Sequence, residues 1–137
     1  MSILYPVLAL FALTAFCVFR LALLRLRAVR AGRVEPRYYR AYTGSEEPED
    51  LRVQARHVSN LFEAPVLFYA IAVIAFVTEM TGTLPVLLAW TYVLLRYAHS
   101  YVHLTSNRVL LRFRVFAASW AVLILLWLTV FAGMVSR

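Results

Sequence analysis

Lysine is absent from this 137-residue chain, and the fourteen basic residues are all arginine. There is one cysteine, Cys17, which excludes a disulfide framework and a cysteine-based zinc site. Acidic residues number only seven. Charged residues make up 15% of the chain, against about 25% in an ordinary soluble domain. What fills the space is apolar: 63% of residues are hydrophobic and the mean hydropathy is +0.74. Too little polar surface remains to cover a water-soluble core, so the composition points to one polytopic membrane domain. No internal repeat or second domain is visible. A net charge of +7 would ordinarily suggest nucleic acid. In so apolar a chain the arginines must first be placed relative to the spans. The missing lysine carries little functional weight, because GC-rich coding replaces lysine with arginine.

Four apolar stretches stand out, at about residues 3–24, 61–77, 84–104 and 115–135. Each approaches the ~20 residues a helix needs to cross a bilayer. The second helix is expected to begin before its apolar run, near Leu51 to Val53, giving a span over 53–77 and a loop over 25–52. Pro85 suits a helix start, and Pro65 predicts a kink. Met1-Ser2-Ile3 lacks the basic start of a signal peptide. The first loop holds Arg25, Arg27, Arg30, Arg33, Arg37 and Arg40, with Arg52 and Arg56 just beyond, and its acidic run from Ser45 to Asp50 is a lead-in to a helix N-terminus. Thr81-Gly82-Thr83 is uncharged, while Arg108, Arg112 and Arg114 surround the third connection. The positive-inside rule therefore places the first and third loops in the cytoplasm and both termini outside. The basic excess reads as topology first, and nucleic acid is not an expected partner.

Polar residues inside the spans are the informative ones, because an ionisable group in lipid is costly. At about 100° per residue, Arg52, Arg56, Asn60 and Glu63 share one stripe of the second helix. On the third helix Arg96, Ser100, His103 and Asn107 form one stripe, and Tyr97, Tyr101 and Arg108 a second. Glu63 and Arg96 lie at similar depth, on the order of 12–15 Å from their helix ends, where they could form a buried ion pair. Arg52, Arg56 and Arg108 outnumber the nearby carboxylate, so the site is net positive. Arginine forks hold carboxylates. The pattern suits a peptide-like anion with two carboxylates and one ammonium group, a description that glutathione meets.

The segment Arg56-x-x-x-Asn60-x-x-Glu63-Ala64-Pro65 resembles a motif of the MAPEG superfamily, the membrane-associated proteins of eicosanoid and glutathione metabolism. Arg96-Tyr97-x-x-x-Tyr101 followed by Arg108 is similar to the family's other glutathione-site segment. The resemblance, to a bacterial-type member, spans nearly the whole chain. It implies an all-α, four-transmembrane-helix bundle assembled as a homotrimer, with glutathione as co-substrate near the cytoplasmic face. Arg56, Asn60, Glu63, Tyr97 and Tyr101 would hold the peptide with Arg52, and Arg108 matches the catalytic arginine. Arg25 or Arg27 would be the equivalent of an arginine near the end of the first span, with Arg27 taken here. A guanidinium favours thiolate over thiol, so the implied activity is a transferase or peroxidase joining the glutathione thiolate to hydrophobic electrophiles. No metal is needed. The alternative is a non-catalytic member that binds a lipid or assists a partner enzyme. A small transporter is a weaker reading, since no repeat symmetry accompanies the spans. His103 stands where eicosanoid-conjugating members carry arginine, so their substrates do not transfer. If the host is a bacterium, the inner membrane is the expected location.

Other residues invite bland readings. His99 and His103 have metal-ligand spacing, but no further histidine or cysteine is expected beside them. His57 points about 100° from the polar stripe and is expected at an interface or headgroup. Cys17, Trp120 and Trp127 read as packing, and Glu79 as a solvated carboxylate.

Overall fold

A computed structural model describes residues 2–44 and 46–136, so Met1 and Ser45, the first residue of the acidic run, lie outside the described residues. Among those described, regular structure is entirely helical: α1 (Leu4–Arg30), α2 (Tyr38–Ala41), α3 (Glu49–Leu61), α4 (Ala64–Val77), α5 (Thr83–Leu104) and α6 (Val109–Val135).

The first helix runs past its apolar stretch to Arg30, because Leu, Arg and Ala are strong helix formers. Just past its end lies Gly32, whose φ of +68° glycine adopts without a Cβ penalty. There the Arg33 N–H donates to Ala28 and the Gly32 N–H to Val29, closing the last turn with its orphan carbonyls satisfied. Arg27 and Arg30 in that turn favour the negative end of the helix dipole. The acidic start expected of the second long helix is present, with Glu49 and Asp50 in the first turn of α3.

The break between α3 and α4 falls at Phe62 and Glu63, with Pro65 in the first turn of α4. Proline has no N–H to extend the α3 ladder, and its ring crowds the preceding turn. The result is a long bent rod over Glu49–Val77. A second departure occurs at the other end of the molecule. The third helix ends at Leu104 and the chain turns through Asn107, at φ +45°, before α6 starts at Val109. Arg108 is therefore the N-cap of α6 and not the end of a stripe on α5. A helical count carried from Tyr97 through Arg108 loses its meaning at that turn.

The bent rod and α5 each pack against both α1 and α6. The shared core runs from Ile3, Leu10 and Cys17 through Phe68 and Ile71 to Tyr92, Leu123 and Leu126. Phe68 and Tyr92 stack with ring centres 4.8 Å apart. A small second core of Ala28, Val34 and Leu51 lies under the first loop. Large apolar side chains also face outward, among them Phe11, Phe19, Val73, Leu128 and Phe131. A surface of that kind fits lipid better than water. Among the described residues, three helical runs are long and apolar enough to cross a membrane: Leu4–Arg30, Glu49–Val77 and Val109–Val135. The 22-residue α5 is not among them, since Arg96, His99, Ser100 and His103 interrupt its apolar sequence.

Candidate functional site: a cationic cleft at the bend

The helix break creates the site. Asn60 and Arg56 come from the end of α3, and Glu63 from the bend itself. With His99 and His103 of α5 and Arg112, Phe113 and Phe116 of α6 they line a cleft of about 450 Å³. One wall is polar, with Arg56 and Glu63 as its charged groups, and the facing α6 wall sets Arg112 beside the rings of Phe113 and Phe116. Arg56, Asn60 and Glu63 thus meet in one place, as their shared stripe suggests.

Glu63 does not pair with Arg96. The bend leaves Glu63 exposed, whereas Arg96 is fully buried, and no ion pair joins them among the described residues. The break at Phe62 frees the Asn60 carbonyl, and the Arg96 guanidinium donates to it at 3.0 Å. The same guanidinium lies 5.9 Å from the ring centre of Phe116, within cation–π range. Among the described residues its Nε and Nη1 have no hydrogen-bond partner. Arg56, Arg96 and Arg112 take part in none of the ion pairs found among the described residues. Arg112 instead donates to the side chain of Asn107 at 2.6 Å. Arg56 and Arg112 thus outnumber Glu63, the one carboxylate of the lining, and the cleft is net positive.

Other site residues inferred from the sequence lie elsewhere in the chain. Arg52 reaches back to the first loop and pairs with Glu46 at 2.5 Å, both exposed. Tyr97 donates to the Ala9 carbonyl on α1 at 2.8 Å. Tyr101 is 71% exposed. Arg108 lines a neighbouring open groove with Leu110, Leu111 and Arg114, sharing only Val109 with the cleft. Arg27 is exposed beside Arg20 on the outer face of α1, where Arg20 hydrogen-bonds Gln54. Arg25 is held by Glu47 at 2.9 Å.

Two features went unread in the sequence. Arg112, Phe113 and Phe116 supply the α6 wall, although Arg112 looks like one more topology arginine. His57 does not face a headgroup: it is fully buried, with its ring centre 4.8 Å from that of His103 and 6.1 Å from that of His99. The available signal was its place on the seam of Leu61, Ala64 and Phe68, all buried and at helical spacing from it. A third histidine thus joins the other two. Among the described residues, no group of three or more His, Cys, Asp or Glu side chains is arranged to hold a metal ion.

An apolar outer surface, membrane-length helices and a polar cleft at the bend define a multi-pass helical membrane protein. A sequence model of the MAPEG family matches residues 3–132, and the chain belongs to that family. No match was found among curated proteins or solved structures.

Proposed function

We propose that this protein is a glutathione-dependent membrane transferase or peroxidase, joining the glutathione thiolate to hydrophobic electrophiles. The observation that carries the reading is the convergence of Arg56, Asn60 and Glu63, with Arg112 opposite, in one net positive cleft. Two guanidinium groups suit the two carboxylates of glutathione, and Glu63 suits its ammonium group. The aromatic wall of Phe113 and Phe116 offers an apolar co-substrate a place beside the sulfur.

In this reading α5 is the fourth span, since 22 residues extend about 33 Å and its polar side chains face the bundle. Loops one and three face the cytoplasm, both termini lie outside, and a bacterial inner membrane would house the protein. Tyr97, Tyr101 and Arg108 stay outside the cleft of one chain. A homotrimer would give these exposed groups a neighbour and close the site, with Arg108 favouring the thiolate.

The second reading is a non-catalytic protein that binds a lipid or assists a partner enzyme. It draws on Arg108 lying apart from the cleft. Purified protein is incubated with glutathione and a generic aromatic electrophile, and conjugate is measured for the wild type, Arg56→Ala and Arg108→Ala. Turnover lost in both variants supports the transferase. Glutathione binding without turnover in the wild type favours the binding protein. No binding reduces the inference to family membership.

A further inference from the structure

The proposed chemistry leaves three buried histidines unused beside the cleft. Of these, His99 has its two ring nitrogens distinguished by their surroundings. Its Nδ1 lies 3.3 Å from the carbonyl oxygen of Arg112. A carbonyl only accepts, so Nδ1 carries the hydrogen, and the neutral ring then has a bare lone pair on Nε2. That Nε2 is buried without a partner, on a residue that lines the cleft. A backbone carbonyl orienting one nitrogen so that the other can take a proton is the arrangement of a general base. Neither His57 nor His103 has such an anchor, since both nitrogens of each ring are unpartnered.

We propose that Nε2 of His99 is the base that receives the thiol proton of the peptide bound in this cleft, a role that rests on the glutathione reading above. The sulfur–hydrogen bond breaks, its electron pair stays on sulfur as the thiolate, and the proton converts His99 to imidazolium. When the thiolate adds to an activated alkene, the proton returns to the carbanion formed on the neighbouring carbon. When the thiolate displaces a leaving group, the proton departs with that group.

The surrounding charges couple this transfer to occupancy. Arg56 on α3, Arg96 on α5 and Arg112 on α6 stand near His99, with Glu63 the one carboxylate of the cleft, and Arg20 of α1 adds its field at His57. Burial first, and then these arginines, disfavour a further positive charge while the cleft holds no anion. Two incoming carboxylates and a developing thiolate reverse that balance, so His99 charges as the sulfur does.

The test counts protons. Glutathione is titrated calorimetrically into the purified, intact protein at pH 7, in two buffers of different ionisation enthalpy. Thiolate is followed in parallel by its ultraviolet absorbance, and S-methylglutathione, which has no thiol proton, supplies the baseline. The wild type is expected to form thiolate with almost no net proton release. His99→Gln, compared at saturating ligand, is expected either to lose the thiolate or to release roughly one proton per thiolate, since a thiol of pKa ~8.5 is protonated at pH 7. Release of one proton by the wild type overturns the proposal, and that measurement decides the matter even if the variant does not fold. Wild-type behaviour in His99→Gln overturns it as well. Absence of binding heat for both ligands overturns the glutathione reading together with it, whereas binding with full proton release sinks the His99 role alone.

Discussion

Arg96 of α5 spends one N–H on the backbone carbonyl of Asn60, 3.0 Å away, at the point where the second long helix breaks. Its side chain is fully buried and has no carboxylate partner among the described residues. Two opposing terms follow. The hydrogen bond satisfies an acceptor whose orphaning would cost about 1–3 kcal/mol. Against that, burial of an unpaired cation costs several kcal/mol even after relaxation.

The second term is the larger, so Arg96→Met is expected to stabilise the fold. The thioether roughly keeps the volume and removes the buried charge, with a net gain of roughly 1–3 kcal/mol. The same variant is expected to bind glutathione more weakly, because the cleft loses part of its positive field. Thermal unfolding in detergent and a binding titration check the two halves. A lower melting temperature would show that packing and the Asn60 hydrogen bond outweigh the buried charge.

The cleft separates three arginines of α3 and α6, two that line it and one that does not. Arg56→Ala and Arg112→Ala are each expected to lose about 1.5–3 kcal/mol of glutathione binding, roughly ten- to a hundredfold in affinity. Arg52→Ala is expected to change affinity little, because Arg52 is exposed and already paired with Glu46. Equilibrium binding by all three variants decides it. Equal losses at Arg52 and Arg56 would mean that Arg52 leaves Glu46 to reach the ligand.

Arg108 tests the assembly. It lies on an open groove beside the cleft, so its proposed action on the sulfur requires closure by another copy of the chain. Arg108→Ala is expected to reduce thiolate formation at pH 7 at least tenfold. Wild-type protein dissociated to single chains in detergent is expected to show the same loss. Sedimentation at graded detergent concentrations, with thiolate absorbance read on each fraction, links the two. Full thiolate formation by single chains would remove the need for a trimer.

Local pattern explains which parts of this site were legible in the sequence. Arg56, Asn60 and Glu63 lie within two turns, so helical periodicity alone puts them on one stripe, and Pro65 marks the bend. Arg52 belongs to the same stripe by periodicity, but its partner Glu46 lies across the loop junction, where no repeat applies. The Arg108 stripe failed for a different reason, because the count continued through a turn that the polar Thr105-Ser106-Asn107 run allows. Arg112 and Phe116 became part of the cleft only through the packing of α6 on α5. His57 was hidden by its polarity, although Leu61, Ala64 and Phe68 place its position on a buried seam.

The first loop carries a charge network that is independent of the cleft. Buried Glu47 accepts from Arg25 at 2.9 and 3.2 Å and from the Tyr39 hydroxyl at 2.8 Å. The Arg25 guanidinium also lies 5.0 Å from the ring centre of Tyr39. Burial and then the hydrogen bond to Glu47 push the Tyr39 phenol up to about 12, from an ordinary value of 10.0. A folded-state value above the unfolded one means that the phenol stabilises the fold fully below pH 10 and loses that effect as the pH rises toward 12. Wild-type melting temperature, taken relative to Tyr39→Phe, is therefore expected to stay constant from pH 7 to about 9.5 and then decline. Glu47→Ala removes the common acceptor and leaves Arg25 without its counter-charge, for an expected loss of about 1–3 kcal/mol at pH 7. A wild-type and Tyr39→Phe pair that melt in parallel up to pH 12 would show that the phenol titrates the same way in the folded and unfolded chains.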